Sequence, residues 1–233
     1  MNKEEFVKAL ECLNINISEK QLNDLDTYYK MLIEYNAHTN LTRITEEKDV
    51  YLKHFYDSLT LVKAVNLNDQ TLLDIGSGAG FPGLVLKIVF PNLKVVLLDS
   101  LNKRITFLNS VIEKLNLKDI TAVHERAECY VLNNREKFDI VTSRAVANLN
   151  MLSELSIPFV KPDGYFIPMK ADAKDEINTA KNAIKTLGGV IKETIVFSLP
   201  NENGVRTLIK IQKISKTNGK YPRKFSEIKK KPL

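Results

Sequence analysis

Apolar positions in the first 66 residues recur at helical spacing. Phe6, Leu10 and Leu13 mark a first helix. Ser18 then caps a longer one, with Gln21 at the reciprocal capping-box position and Leu22, Leu25, Tyr29 and Leu32 as its stripe. A third helix follows Thr45, with Glu46 and Glu47 in its first turn and Tyr51, Phe55, Leu59 and Val62 inward. No glycine precedes Gly76, which fits an all-helical extension over 1–66. The period then changes. Short apolar strands are predicted at 71–75, 94–98, 120–124, 138–142, 165–168, 190–197 and 205–213, and helices at 84–90, 102–115, 149–159 and 174–187. Strands apolar on both sides and alternating with helices indicate an α/β fold, its parallel sheet covered on both faces. The connection 198–204 is too short for a crossover helix, so the last two strands should form an antiparallel hairpin. The predicted divisions are a helical extension (1–66), a Rossmann-like domain (67–219) and a basic tail (220–233).

Composition narrows the class. The chain has 233 residues, 44% hydrophobic and 27% charged, enough for a full core without disulfides or a structural metal. Its apolar runs are strand-sized, too short to span a membrane, and no secretory signal pattern opens the chain. Cys12 and Cys129 form no CxxC, and with His38, His54 and His124 they offer no metal-ligand spacing. These features predict an intracellular, cytoplasmic protein without a metal. The net charge of +6 is unevenly spread: −4 over 1–70, +5 over 71–219 and +5 over the last 14 residues. The tail reads as a nucleic-acid contact or as a solvated, solubilising end.

The segment LLDIGSGAGFPG, 72–83, follows the first strand and opens a helix. Glycines there let the backbone approach a ligand beyond the carboxyl ends of the strands. A dinucleotide fingerprint starting at Gly76 needs a third glycine at position 81, which is Phe81, and the Gly-Lys-Ser/Thr of a P-loop is missing. Asp74 suits a ligand carrying its own cation or ammonium rather than a pyrophosphate. Asp99, 23 residues after Gly76 and at the end of the second strand, can accept both hydroxyls of a ribose or cap the next helix. An adenosine-type ligand is indicated, and S-adenosylmethionine fits better than NAD. The turn contributes Asp74, Gly76, Ser77, Gly78, Gly80 and Phe81 as candidate cofactor contacts.

The chain resembles the bacterial small-subunit rRNA guanine-N7 methyltransferases, the RsmG (GidB) family. The resemblance rests on NAHTNLTRI at 36–44, HFYDSL at 54–59, LLDIGSGAGFPGLVL at 72–86, LLDSLNKRITFL at 97–108, ERAE at 125–128, FDIVTSRAVANL at 138–149 and KYPRK at 220–224. One departure is Ala171 in MKA, where members usually carry glycine after the lysine. The resemblance implies a class I S-adenosylmethionine-dependent methyltransferase fold with a terminal antiparallel hairpin and an N-terminal helical extension. It implies methyl transfer to N7 of one guanine in the decoding-region hairpin of 16S rRNA, free or within the 30S subunit. Gly76, Gly78 and Gly80 would line the methionine end and Asp99 the ribose. Ala127 and Glu128 would meet the adenine, and Arg144 would face both cofactor and substrate as the catalytic candidate.

Guanine N7 carries a lone pair and no proton, so the reaction needs alignment and charge stabilisation rather than a general base. The three histidines are therefore not cast as bases. His124 is expected to be structural; His54 is expected to pack against the cofactor loop, touch RNA or sit in the core. Neither cysteine has the context of a cytosine C5 nucleophile, and 143–145 lacks the Asn/Asp-Pro-Pro-aromatic loop of exocyclic-amine enzymes. Arg43, Lys53, Arg144, Lys170, Arg223 and Lys224 are candidate phosphate contacts. Tyr221 stacks on a base or pins the tail to the sheet. RNA binding should weaken with salt, and removing residues 220–233 should weaken it while sparing cofactor affinity. A monomer is the default. The rivals are a same-fold enzyme for a small molecule or protein, a nicotinamide oxidoreductase, which Phe81 disfavours, and a non-catalytic RNA-binding protein.

Overall fold

The computed structural model describes residues 1–144, 146–202 and 204–233. Capping boxes open the first two N-terminal helices, the second at the predicted Ser18. α1 (Lys3–Glu11) has a capping box between Asn2 and Glu5, and α2 (Glu19–Thr39) one between Ser18 and Gln21. α2 ends at Asn40 in the left-handed conformation. The third predicted helix is composite. A short α3 (Glu47–Asp49) runs into a π-helical segment, Val50–Tyr56, then α4 (Asp57–Leu59) and a 3₁₀ turn, Thr60–Lys63. Wide turns of this kind often accompany functional sites.

Next come β1 (Thr71–Ile75), α5 (Gly83–Val89), β2 (Lys94–Asp99), α6 (Asn102–Lys114), β3 (Ile120–His124) and α7 (Ala127–Asn134). They are followed by β4 (Phe138–Arg144), α8 (Leu149–Ser156), β5 (Val160–Lys170), α9 (Lys174–Thr186), β6 (Gly189–Ser198), β7 (Val205–Lys213) and α10 (Phe225–Lys230). Among the described residues seven strands form one sheet in the order β3-β2-β1-β4-β5-β7-β6. β1 to β5 are parallel, and β7 runs antiparallel between β5 and β6. From β1 the chain winds outward through β2 and β3, then returns to place β4 on the other side of β1. The switch point of the sheet therefore lies between β1 and β4, where open α/β sheets bind ligands.

One face of the sheet shares an unbroken apolar core with α1, α2 and the composite helix, including Phe6, Leu25, Tyr28, Phe55, Leu84 and Phe107. The Gln21 amide donates to the carbonyls of Ile88 and Val89 at the end of α5, and Tyr35 donates to Lys103 O. The N-terminal helices are thus tied to the two helices behind the glycine-rich turn. The opposite face packs on α7, α8 and α9, and the last residues join it: Tyr221 and Ile228 are buried there, with Phe225 and Leu233 against them.

That last contact corrects the reading of 220–233 as a solvated or RNA-stacking end. Arg135 donates to Tyr221 O, and Arg223 makes a two-pronged pair with the fully buried Glu154 on α8. The Tyr221 ring is packed inside and closed to a stacking base, so it pins the tail. Arg223 is committed to Glu154 rather than open to a phosphate.

Candidate functional site

The turn after β1 is built against β2. Gly76 N and Ser77 N both donate to Leu98 O, at 2.7 and 3.2 Å. Ser77 Oγ donates to Asp74 O, and Gly78 N donates to Asp99 Oδ2 at 2.9 Å. Two glycines are required for distinct reasons. A Cβ at Gly76 (φ +71°) would lie 2.5 Å from Val146 Cγ2, a side chain arching over the turn. A Cβ at Gly80 (φ +106°) would lie 2.6 Å from the Tyr28 hydroxyl, which donates to Ala79 O from the helical extension. Gly80 and Asp74 therefore serve the back of the turn. The Asp74 carboxyl is fully buried, accepts from Gly83 N at 2.9 Å at the start of α5, and takes no part in the cavity wall. Burial pushes its pKa up to about 7, against the Gly83 and Ser77 hydrogen bonds that lower it. Neither Asp74 nor Gly80 lines the cavity in front of the turn, where both were expected to meet the ligand.

In front of the turn lies a cavity of about 470 Å³, in the range that holds a cofactor-sized ligand. Of the predicted contacts, Gly76, Ser77, Gly78, Phe81, Asp99, Ala127, Glu128 and Arg144 line it. Asp99 ends β2 opposite His124 at the end of β3. Its Oδ1 accepts from Leu101 N, and Arg104 Nη1 sits 3.0 Å from its Oδ2. The carboxylate is thus both a loop tie and a wall of the cavity. The sequence reading missed Leu41, Thr42, Arg104, Arg126, Val146 and Phe225, which also line the cavity.

At its inner end stands Arg144, the last residue of β4. Nη1 donates to Lys53 O and to Asp57 Oδ2, both at 2.9 Å, and Nη2 donates to His54 Nδ1 at 3.1 Å. The π-helical turn makes the first of these bonds possible. Asp57 N donates to Leu52 O and His54 O, skipping the Lys53 carbonyl and leaving it for the guanidinium. Since Arg144 can only donate, His54 Nδ1 accepts, and Nε2 carries the proton toward Thr42 Oγ1 at 2.9 Å. The imidazole stacks on Phe81 at 4.2 Å. Burial and the neighbouring Arg144 charge lower its pKa to about 3, so His54 is a neutral spacer. Arg144 also lies over the Phe81 ring at 5.1 Å.

Arg144 and His54 form the wall shared with a second cavity of about 490 Å³. Asp57, buried between two arginines, accepts from Arg144 on Oδ2 and from Arg206 Nε on Oδ1 at 3.2 Å. Met169, Phe197 and Leu208 give apolar surface, and Lys53, Lys170, Asp172, Glu176 and Arg206 a charged rim. Lys53 pairs with Asp49 and Glu202, and Lys170 with Glu176 at 2.8 Å. Ala171 lines this cavity without a positive φ, so its methyl is accommodated. Arg43 and Lys224 are exposed and lie outside both cavities. His124 sits at the end of β3 with Nε2 3.1 Å from Ser100 O. Among the described residues no His, Cys, Asp or Glu cluster has metal-binding geometry, and no helix is long and apolar enough to cross a membrane.

Solved structures with this fold include M. jannaschii TYW2 in complex with AdoMet (TM-score 0.58, 13% identity, 74% of this chain and 80% of that one). Another is a SAM dependent methyltransferase from Aquifex aeolicus (TM-score 0.56, 14% identity, 74% and 97%). Strand order, terminal hairpin and switch-point cavity define the class I fold that these methyltransferase structures share, extended here by N-terminal helices. Sequence comparison narrows this further. The family described as GidB, rRNA small subunit methyltransferase G, matches residues 21–205. Ribosomal RNA small subunit methyltransferase G of Bacillus subtilis (strain 168) is 49% identical over 237 residues, covering 100% of this chain and 99% of that one. The protein of the same name from Pediococcus pentosaceus is 50% identical over 240 residues, covering 100% and 99%. The chain belongs to the family of rRNA small subunit methyltransferase G.

Proposed function

We propose that the protein methylates N7 of one guanine in the decoding-region hairpin of 16S rRNA, with the cofactor in the first cavity and the target base in the second. The family supports the substrate class, since its curated members are small-subunit rRNA methyltransferases. One observation carries the mechanism: Arg144 stands in the wall between the cavities with donors to spare. Among the described residues its five N–H groups have three partners, which leaves Nε–H and one Nη2–H.

The residues fit the cofactor. Gly76 and Gly78 hold the backbone open at positive φ, Asp99 offers its carboxylate, and the cavity continues to Ala127 and Glu128. Arg104, 35% exposed, is the Asp99 partner that can swing aside for two ribose hydroxyls. When bound, S-adenosylmethionine supplies an electrophilic methyl group on a sulfonium whose leaving group is a neutral thioether.

What this chain contributes is placement. A purine seated on Met169, Phe197 and Leu208 would present its O6 acceptor toward Arg144 and its amino and imino donors toward Asp172 and Glu176, leaving the N7 lone pair free to face the first cavity. Donors fixed by Asp57, Lys53 O and His54 cost no reorganisation as charge shifts onto the ring. His54 holds no proton to give on its Nδ1 side, and the reaction asks none of it. A base at this depth must leave its stack, so an unpaired or extruded guanine is the substrate. Arg43, Lys53 and Lys224 are the proposed phosphate contacts, and Lys170 a rim contact.

Transfer of label from methyl-labelled S-adenosylmethionine is the test, with free 16S rRNA, isolated 30S subunits and a pool of small metabolites as acceptors. Label is expected in one of the two RNA substrates, in amounts approaching one methyl per molecule. Label only in small molecules rejects the reading.

A further inference from the structure

The C-terminal strap closes on the cofactor cavity, though its charge reads as an RNA tail. After the β6–β7 hairpin the chain crosses back over the opposite face of the sheet and is fixed at three points. Arg135 donates to the carbonyls of Thr217 and Tyr221. The backbone N–H and the guanidinium of Arg223 both donate to Glu154, which is fully buried on α8. Ile228 is buried in the same core. Tyr221, Phe225 and Ile228, spaced by four and three, form an apolar stripe turned inward, with Lys224, Lys229 and Lys230 exposed.

This anchoring carries Phe225, the first residue of α10, to the outer end of the cavity, beside Leu155 and the 125–128 loop. Arg126 lies over the Phe225 ring at 5.5 Å and is itself 3.6 Å from Glu128. The ring therefore has a cation on one side and open cavity beside it. The strand order β3-β2-β1-β4 places Asp99, at the end of β2, between the 125–128 loop after β3, where Arg126 meets Phe225, and Arg144 at the end of β4; Asp99 is where a ribose would sit. What remains opposite Phe225 is the nucleobase end.

We propose that Phe225 forms the aromatic wall of the adenine subsite, so that the C-terminal strap is a cofactor-binding element. The inference rests on the placement of the cofactor in the first cavity. A planar base against an aromatic ring gains from stacking whatever its hydrogen-bond pattern. The strap's lysines face solvent on the other side of the same short helix, so one element contributes to the cofactor wall and presents positive charge outward.

Two measurements test it. Calorimetric titration with S-adenosylhomocysteine and with adenosine compares the full-length protein with Phe225→Leu and Phe225→Tyr. Phe225→Leu keeps apolar bulk against Leu155 and is expected to weaken both ligands by about tenfold, or ~1.4 kcal/mol, while Phe225→Tyr stays within about threefold. Hydrogen exchange on the unmutated protein needs no variant: saturating adenosine should slow amide exchange over 225–231 several-fold. Unchanged affinity in Phe225→Leu, or exchange in 225–231 indifferent to adenosine, overturns the inference while leaving the cavity assignment intact. An unmutated protein that binds neither ligand overturns both.

Discussion

Replacing Arg144 with lysine probes the junction between the two cavities. The guanidinium reaches three acceptors in three directions: Lys53 O, Asp57 Oδ2 and His54 Nδ1, all within 3.1 Å. An ammonium on a shorter head keeps at most the Asp57 contact and leaves His54 Nδ1 and Lys53 O, both inside the wall, without a donor. Each lost bond to a charged donor is worth about 1.5–3 kcal/mol, and relaxation recovers part of that, so a loss of roughly 3 kcal/mol is expected. For a chain of this length that lowers the melting temperature by ~6–12 °C. Asp57 stays paired with Arg206, which keeps the loss below that of an orphaned buried carboxylate. Catalysis should suffer more than folding, because a shorter ammonium cannot hold its unspent N–H groups where Arg144 Nε–H and Nη2–H point. Loss of a fixed donor to developing charge lowers kcat by about 10²–10³-fold. The assay is single-turnover methyl transfer to rRNA at a temperature below the variant's melt, with S-adenosylhomocysteine affinity measured alongside. A kcat within fivefold of the unmutated protein would refute Arg144 as the residue that meets the base, whatever happened to stability.

Three further outcomes follow from other parts of the site. Tyr28→Phe removes the donor to Ala79 O from a fully buried position; it should cost about 1–2 kcal/mol in chemical denaturation and weaken cofactor binding, and an unchanged midpoint contradicts the tie between extension and turn. Folding lifts the Asp74 pKa from 3.8 to about 7, so Asp74 contributes stability present below pH 3.8 and lost as pH rises toward 7. Folding lowers that of His54 from 6.5 to about 3, so His54 contributes stability present above pH 6.5 and lost as pH falls toward 3. The two slopes oppose one another between about pH 4 and 6.5; Asp74→Asn removes the falling one, so its melting temperature should climb more steeply with pH than that of the unmutated protein, and an unaltered slope counts against a titrating Asp74. Finally, kcat should be level between about pH 6.5 and 9, since no group near its pKa moves a proton; a bell-shaped profile would reinstate a general base.

Much of the fold was legible because the relevant signals are local. Ser18 with Gln21 marked the start of α2, and the short connection before β7 implied the antiparallel hairpin. The glycine turn followed from its position between a strand and a helix, and Asp99 from its place at a strand end. Long-range contacts were harder to read. Asp74 and Gly80 sit in the motif but face backward, toward Gly83 and Tyr28, and nothing in a linear spacing shows which side of a turn a residue serves. The Lys53 carbonyl became an arginine acceptor only through the π-helical step, which hydrophobic periodicity does not announce. α7 was missed because only Ala127 and Val131 are buried along its length. In the C-terminal segment, six cations were weighed ahead of three apolar residues at helical spacing, so only the pinning role considered for Tyr221 pointed to its docking on the sheet. Tyr221, Phe225 and Ile228 were the available signal, and they rule out removing 220–233 without touching the cofactor cavity.

Digestion of the methylated small-subunit rRNA to nucleosides, followed by chromatographic identification of the labelled one, bears most directly on the account. All of the label should co-migrate with 7-methylguanosine. Label in an exocyclic-amine, ring-carbon or ribose-methylated nucleoside would contradict a site built to align an unprotonated ring nitrogen without a base.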